Sequence, residues 1–508
     1  MQQSCFSFTG SLQIASIALS LASQVLAAPS ASPRTYPTVT WRNCTAADPP
    51  NLQCGHLQVP VDYNNPHGHQ FDLTFARLKA SNSTSRLGSL VFNPGGPGGA
   101  ASRFVFTQVF DGVTVWSPEI LADYDIIGLD PRGTGLSNPM TCDQNIWNER
   151  VSSTPKNENE FNQLVAHNKA FSESCRHGTG PVFDFMDTTS AAKDMEMVRR
   201  ALGEEKLNYL GLSYGSQLGS TYAGLYPKNV GRMVLDGVLD VAGSDTQALL
   251  AESTAYESTL DKFFQWCNTT TDCALHGQDA AGIFDNLINT ANDKPIPAPG
   301  CSASGPTPCR SDATGEEILS EVQGGLVGVD PGPAFEGWPA LSVSIAEASQ
   351  GNASLISTPI ITAPTDASFS FLGVVCKDWA PTSKSYIDLD LKRQMTSALA
   401  PHSRGSSQTY ETQSSCIGWV SPATNTRHVL DPNQVAKLPP ILLVNALWDP
   451  STSIAWANAL RLEIPSSVLI LRNGAGHTSY FIPGQTSAAI NAYLLTGDLP
   501  AQGTTFDS

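Results

Sequence analysis

Positive charge is scarce in this chain: 29 Lys and Arg stand against 46 Asp and Glu, a net charge of −17 over 508 residues. No Lys/Arg cluster offsets that balance locally, which argues against nucleic acid or an anionic membrane as a partner. Long apolar runs are missing after the N-terminal segment, and no later stretch approaches the length that spans a bilayer. Neither Cys-x-x-Cys nor a Cys/His cluster at zinc spacing occurs, so no metal is expected. The glycine-rich stretches lack the Gly-Lys-Ser/Thr ending of a phosphate-cradling loop, and no cofactor is expected either.

What remains is a folded, acidic protein. Hydrophobic residues make up 41% and charged residues 15%, ordinary for a globular chain and far from disorder. The length exceeds one simple core and fits one large domain plus an insertion, or two domains. Residues 12–26 are apolar, and Val25-Leu26-Ala27 places small residues before Ala28-Pro29, the layout of a secretory signal over residues 1–27, although no Lys or Arg precedes it. Of 11 cysteines, Cys5 lies in that segment, which leaves an even set. Cys44/Cys54, Cys267/Cys273 and Cys301/Cys309 are near neighbours, with Cys142/Cys175 and Cys376/Cys416 completing the set. Spacing alone leaves the connectivity open. Sequons at Asn43, Asn82, Asn268 and Asn352 agree with a secreted, extracellular glycoprotein. Nothing in the sequence specifies an oligomeric state.

The chemistry starts at Gly211-Leu212-Ser213-Tyr214-Gly215. A short apolar run, 207–210, precedes it, and a stretch rich in Ala, Leu, Gly and Tyr follows up to Pro227. Strand, tight turn and helix is the setting that lifts a serine hydroxyl clear of the backbone. The glycines flank the turn because a side chain there would strike the neighbouring strand or helix. Elsewhere the same pentapeptide marks only a loop; the strand–turn–helix context makes Ser213 a nucleophile here.

Strands are expected at 57–61, 71–80, 89–93, 125–129, 207–211, 233–236, 441–445 and 468–471. The later runs are continuously apolar, as in a parallel sheet covered on both faces. Residues 188–202 place Ala191, Ala192, Met195, Val198 and Leu202 at helical spacing, with Asp187 or Thr188 to cap the start. This is a doubly wound α/β pattern. It breaks between about 240 and 438, where helices are expected at 249–266, 315–327 and 341–349 without regular strands. The expected organisation is a core over 28–240 and 438–508, with a lid inserted at 241–437.

A serine needs a base, and the base needs an acid to hold its tautomer. Asp449 follows the penultimate expected strand, and His477 follows the last within Gly474-Ala475-Gly476-His477. Ser213, Asp449 and His477 thereby fall on loops at one sheet edge, in the order Ser, Asp, His. Asp236, after another strand, is an alternative acid. The oxyanion requires two backbone N–H donors. One is Tyr214, next to the nucleophile; Gly95 or Gly96 of Asn93-Pro94-Gly95-Gly96-Pro97-Gly98 supplies the other.

Together these residues resemble the tripeptidyl-aminopeptidase-like branch of the α/β-hydrolase superfamily, related to prolyl aminopeptidases. The resemblance rests on the Gly-Gly-Pro-Gly loop, on Asp130-Pro131-Arg132-Gly133-Thr134-Gly135-Leu136-Ser137, and on Gly211–Gly215. Met233-Val234-Leu235-Asp236-Gly237, Cys376-Lys377-Asp378, Cys416-Ile417-Gly418-Trp419 and the Asp449/His477 region extend it over most of the chain. It implies an α/β-hydrolase fold with an inserted, largely helical lid. It further implies hydrolysis through an acyl-enzyme and peptides, or small esters and amides, as substrates. An exopeptidase of this kind would bind the substrate's α-ammonium group with a lid carboxylate, for which Glu316, Glu317, Glu321, Glu336 and Glu347 are available. Two other readings stand beside it: an esterase or lactonase for a small metabolite, and a non-catalytic binding protein on the same fold.

Overall fold

The computed structural model describes residues 38–46, 48–305, 307–330, 336–379 and 381–507. The expected signal segment lies outside them. The strands are β1 (Thr40–Arg42), β2 (Leu52–Pro60), β3 (Gln70–Leu78), β4 (Gly88–Asn93), β5 (Tyr124–Leu129), β6 (Leu207–Leu212), β7 (Val230–Asp236), β8 (Ile296–Pro297), β9 (Asp312–Ala313), β10 (Leu442–Trp448), β11 (Val468–Ala475) and β12 (Thr505–Asp507). All but β8 and β9, which pair with each other, form one sheet in the order β1-β2-β3-β5-β4-β6-β7-β10-β11-β12. The ladders from β1 to β5 through β2 and β3 are antiparallel. Those from β5 through β4 to β12 are parallel.

Alternation along each strand divides its side chains between two apolar layers. Val91, Ile127, Tyr209, Leu235 and Leu443 pack on one face with residues of the helices Thr188–Ala201, Tyr214–Leu225 and Ile454–Glu463. Leu90, Phe92, Ile126, Leu210, Val234 and Val444 pack on the other with the helices Ala101–Phe110 and Gln485–Thr496. Because both faces are covered, β4 and β5 are buried along their whole length. That explains the apolar runs Leu90-Val91-Phe92 and Ile126-Ile127 within them.

Each expected strand overlaps a member of this sheet, those at 57–61, 71–80 and 441–445 running one or two residues past it, and β2 starts earlier, at Leu52, and pairs with β3 over nine residues. β1 and β12 had no counterpart in the sequence reading. Each has three residues, exposed at both ends, too short to carry an apolar alternation. Asp187, not Thr188, caps its helix by accepting from Ser190 N–H. The helix expected at 249 begins earlier, at Asp245, behind a Ser244/Gln247 capping box that satisfies its first amides.

Between β7 and β10 the chain is mainly helical. The helices Asp245–Thr269, Ala280–Asp293, Gly315–Gly325 and Gly337–Ser349 close around Tyr256, Phe263, Phe284, Ile318 and Trp338, a core separate from the two sheet layers. Ala475, at the end of β11, packs against that core, so the insert rests on the strand that leads into His477. Disulfides join Cys44 to Cys54, Cys142 to Cys175, Cys267 to Cys273, Cys301 to Cys309 and Cys376 to Cys416. Asn43, Asn82 and Asn268 are exposed, whereas Asn352 is half-buried and its amide is engaged by Glu347 and Ser354.

Candidate active site

Five neighbouring parallel strands deliver their following loops to one edge of the sheet. The glycine loop follows β4, Ser213 follows β6, Asp236 ends β7, Asp449 follows β10 and His477 follows β11. Ser213 sits at φ 56°, ψ −123°, a backbone conformation that costs energy for a residue with a Cβ. Surrounding contacts hold it there. Its N–H donates to Asp236 O at 2.8 Å, and its carbonyl accepts from Ser216 N–H at 2.7 Å. At Gly215 a Cβ would stand 2.7 Å from the Asn93 carbonyl, so glycine is the residue that lets the helix begin this close to β4.

The glycine loop lies directly on this turn. Gly95 has φ +93°, and a Cβ there would meet Leu212 O at 2.4 Å, Ser213 Cβ at 2.7 Å and Tyr214 N at 3.0 Å. Gly95 N–H itself is occupied, donating to Asn93 Oδ1 at 2.9 Å. Of the two glycines singled out in the sequence, Gly96 is therefore the one whose amide has no such partner. Tyr214 is the first residue of its helix, where an N–H has no intrahelical acceptor.

His477 is half-buried, and its Nδ1 lies 2.8 Å from Asp449 Oδ1 and 2.9 Å from Oδ2. Asp449 also accepts from the amides of Ser451 (2.9 Å), Thr452 (2.8 Å) and Thr478 (3.1 Å), and from Thr452 Oγ1 at 2.7 Å. Every contact is a donor, which suits an ionised carboxylate. Burial alone would raise its pKa, but His477 and these hydrogen bonds outweigh burial and hold it below the usual value. Burial likewise pushes the imidazole down, yet the Asp449 charge and hydrogen bond win, and its pKa lies above 6.5. With Nδ1–H directed at Asp449, Nε2 is the basic nitrogen.

Asp236, the alternative acid, makes no bond to His477. Its Oδ2 accepts from the amides of Ser479 (2.7 Å) and Tyr480 (2.8 Å), its Oδ1 is buried without a partner, and burial pushes it up to about 6. It fastens the histidine loop to the serine turn, because its own carbonyl takes Ser213 N–H. The Asp130–Ser137 motif braces as well. Asp130 accepts from Ser102 N–H, Ser102 Oγ and Leu136 N–H, while Arg132 forms a buried, two-pronged pair with Asp194 at 2.7 and 2.8 Å.

The glutamates named from sequence are mostly committed elsewhere. Glu316 receives Ser152, Ser153 and Thr154; Glu317 receives Arg150, Arg310 and the cap of its own helix; Glu347 receives Asn352; Glu336 is exposed. The sequence reading missed Glu252 and Glu411. Burial pushes Glu252 up to about 7 despite bonds from Thr409 and Gln323, and it lies in electrostatic range of Asp449 and His477. Burial pushes Glu411 up to about 8, with Ser320 as its hydrogen-bond donor and Glu316, Glu252 and Glu321 adding repulsion. No sequence signal marked either one, since a glutamate on a helix gives no hint of its burial. Among the described residues, no group of His, Cys, Asp or Glu could hold a metal ion, and no helix is long and apolar enough to cross a membrane.

Residues 88–298 match the family described as alpha/beta hydrolase fold, and residues 402–506 match that described as TAP-like protein. The chain is 30% identical to a tripeptidyl aminopeptidase of Streptomyces lividans, over 92% of this chain and 86% of that relative. It is 26% identical to the serine protease Hip1 of Mycobacterium tuberculosis, over 93% and 92% of the two chains. A carboxylesterase B of the same species is 28% identical over 92% and 90%.

Proposed function

This chain belongs to the α/β-hydrolase fold family, in its TAP-like branch, and as a serine hydrolase of that branch we propose that it is a secreted exopeptidase releasing residues from peptide N-termini. The observation that carries the chemistry is His477, oriented by an ionised Asp449, on a loop fastened through Asp236 to the strained turn at Ser213. In this reading Ser213 Oγ attacks the scissile carbonyl carbon while His477 Nε2 takes its proton. The tetrahedral oxyanion accepts the N–H groups of Gly96 and Tyr214. His477 then protonates the leaving amine. Water, deprotonated by the same nitrogen, cleaves the acyl-enzyme and restores Ser213.

The helical insert at 241–437 acts as the lid. Its contact with β11 and the closeness of Glu252 to His477 support that role. Glu411 and Glu252, whose carboxyls burial raises and which form no ion pair among the described residues, are the groups that the substrate's α-ammonium would ionise and pair with on binding. Five disulfides agree with an oxidising, extracellular destination. A second reading, ester hydrolysis, draws on the relative named carboxylesterase B. The test compares a short peptide anilide with its N-acetylated form. Preference for the free amine supports the exopeptidase; equal rates refute amine recognition, and turnover confined to short esters selects the second reading. Loss of all hydrolysis in Ser213→Ala, with unchanged melting, identifies the nucleophile; retained activity overturns it.

A further inference from the structure

The insert helix Ala367–Asp378 packs at one end on the glycine loop and at the other on the helix that starts at Tyr214. Near its start, the backbone of Gly98 is so close that a Cβ there would stand 2.5 Å from the Ala367 carbonyl and 3.0 Å from Phe371 N. Ser370 Oγ donates to Gly133 O at 2.7 Å and steadies this end. At its other end, about 18 Å away for twelve helical residues, Asp378 is almost wholly buried and meets the first turn of the Tyr214–Leu225 helix.

Four donors converge on the Asp378 carboxylate. Oδ1 accepts from Thr188 N–H at 3.1 Å and Asn425 Nδ2 at 3.0 Å; Oδ2 accepts from Gln217 Nε2 at 3.0 Å and from Thr188 Oγ1. Thr188 Oγ1 is also in hydrogen-bond contact with the Tyr214 hydroxyl. This contact dictates a direction. A carboxylate has no proton to give, so Thr188 O–H points to Asp378 and its oxygen must accept from Tyr214 O–H. Gln217, three residues beyond Tyr214 and on the same side of the helix, is held at its other end as well, its Oε1 accepting from Trp379 Nε1 at 3.2 Å. The ring of Tyr214 and the side chain of Gln217 are thus both anchored on the last turn of an insert helix.

We propose that Asp378 is a positioning residue for hydrolysis: through Thr188 and Tyr214 it fixes the angle at which the Tyr214 N–H meets the oxyanion. This rests on the reading of Tyr214 N–H as an oxyanion donor. The same helix backs the Gly95–Gly98 loop, so the docking of one insert helix sets the spacing of the two donors. An unpartnered carboxylate at this depth would be costly; here it is spent on aligning one turn of backbone beside the nucleophile.

The experiment uses the full-length enzyme at pH 8.5, where the carboxyl is ionised: burial, with the Asp187 charge adding to it and the Thr188 and Asn425 hydrogen bonds opposing it, pushes Asp378 up to about 7. Tyr214→Phe removes only the phenol oxygen and keeps the backbone amide. Asp378→Asn removes the charge that orders the chain. Each is expected to lower kcat about tenfold, less than the 10²–10³ lost with a whole oxyanion donor, with KM within twofold of wild type. Affinity for a small alkyl boronic acid, which becomes a tetrahedral anion on the serine, should fall by the same factor. The double variant should be no worse than the poorer single one, because both break one chain. Wild-type kcat and boronate affinity in Tyr214→Phe overturn the proposal, as do losses that multiply in the double variant. If Asp378→Asn does not fold, Tyr214→Phe and Thr188→Val decide the matter. Ser213→Ala separates the two levels: activity retained there removes the underlying reading, whereas an inactive Ser213→Ala beside fully active Tyr214→Phe removes only the positioning role.

Discussion

Replacing Asp449 by Asn changes the catalytic geometry least and the electrostatics most. The volume is kept, and the amide oxygen can still accept the N–H groups of Ser451 and Thr452 that Oδ1 holds now. The NH2 group must then face Thr452 Oγ1, Thr478 N–H and, at 2.9 Å, His477 Nδ1, where the wild-type Oδ2 accepts; the uncharged oxygen at the Oδ1 position, 2.8 Å from Nδ1, already takes two amides and competes weakly for that proton. Two of these partners tolerate a donor only by rearranging. His477 does so by moving its proton to Nε2, which leaves its lone pair on the buried side of the ring. A base in that tautomer cannot take the Ser213 proton, and the expected loss is about 10⁴-fold in kcat/KM, or ~5 kcal/mol of transition-state stabilisation. The pH profile carries an independent sign. In the wild type Asp449 holds the His477 pKa above 6.5 against burial, so the rate should climb with pH through a limb above that value. Without the charge that support is lost, and the acid limb of the residual activity should move to lower pH, with Asp236 and Glu252 opposing part of the shift. The assay is kcat/KM of a peptide anilide from pH 5 to 9, with thermal melting to establish that the variant is folded. More than a tenth of wild-type activity, or an acid limb that does not move, refutes the assignment. Asp236→Asn is the control, expected to stay within about tenfold of wild type, since Asp236 binds amides and not the imidazole. If it is the more damaging change, the acid is Asp236.

Gly95→Ala should abolish turnover while the protein still folds, because the new methyl meets Leu212 O and Ser213 Cβ at a positive φ; activity within tenfold of wild type would contradict the packing of the glycine loop on the serine turn. Arg132→Met should lower stability by about 3–5 kcal/mol in urea titration, since it strands the buried Asp194 charge; a loss under 1 kcal/mol would show that Asp194 finds other partners or a proton. Glu411→Gln should raise KM about tenfold for a free-amine peptide and leave the acetylated peptide unchanged, the expected worth of one hydrogen bond to a charged group. Equal effects on both peptides would move amine recognition to another residue.

Ser213, His477, Asp449 and the glycine loop could be singled out in the sequence because each depends on a short, local transition. A strand runs into a tight turn, glycines are placed where backbones touch, and one chemistry-bearing residue stands at the end. The chain order of those transitions matches their order along the sheet edge closely enough for distant residues to be assigned together. Order could not choose between Asp236 and Asp449, since both end a parallel strand beside the histidine loop. The choice lies in a loop turning far enough for Nδ1 to reach one carboxylate, and that is a matter of angles. The second glycine donor was left open for the same reason. Gly95 and Gly96 are alike in sequence, and the Asn93 side chain that occupies one amide separates them.

The insert was least legible. Helical periodicity located several of its helices, yet a carboxylate at a helix end or on a helix face reads as solvated. Asp378 and Glu252 are almost wholly buried, and Glu411 is half-buried, all of them carboxylates that helix docking removes from water. Their chemistry is therefore created by tertiary packing and has no local signature. Asp378 meets donors on three other segments, those of Thr188, Gln217 and Asn425, so any sequence change that shifts the docking of its helix alters the oxyanion geometry without touching Ser213, Asp449 or His477. Glu252 belongs to the helix Asp245–Thr269 and Glu411 to Gln408–Ser415, so the surroundings of these two carboxyls depend on two insert helices together. Repacking the insert is therefore expected to change the preferred substrate while Ser213, Asp449 and His477 stay in place.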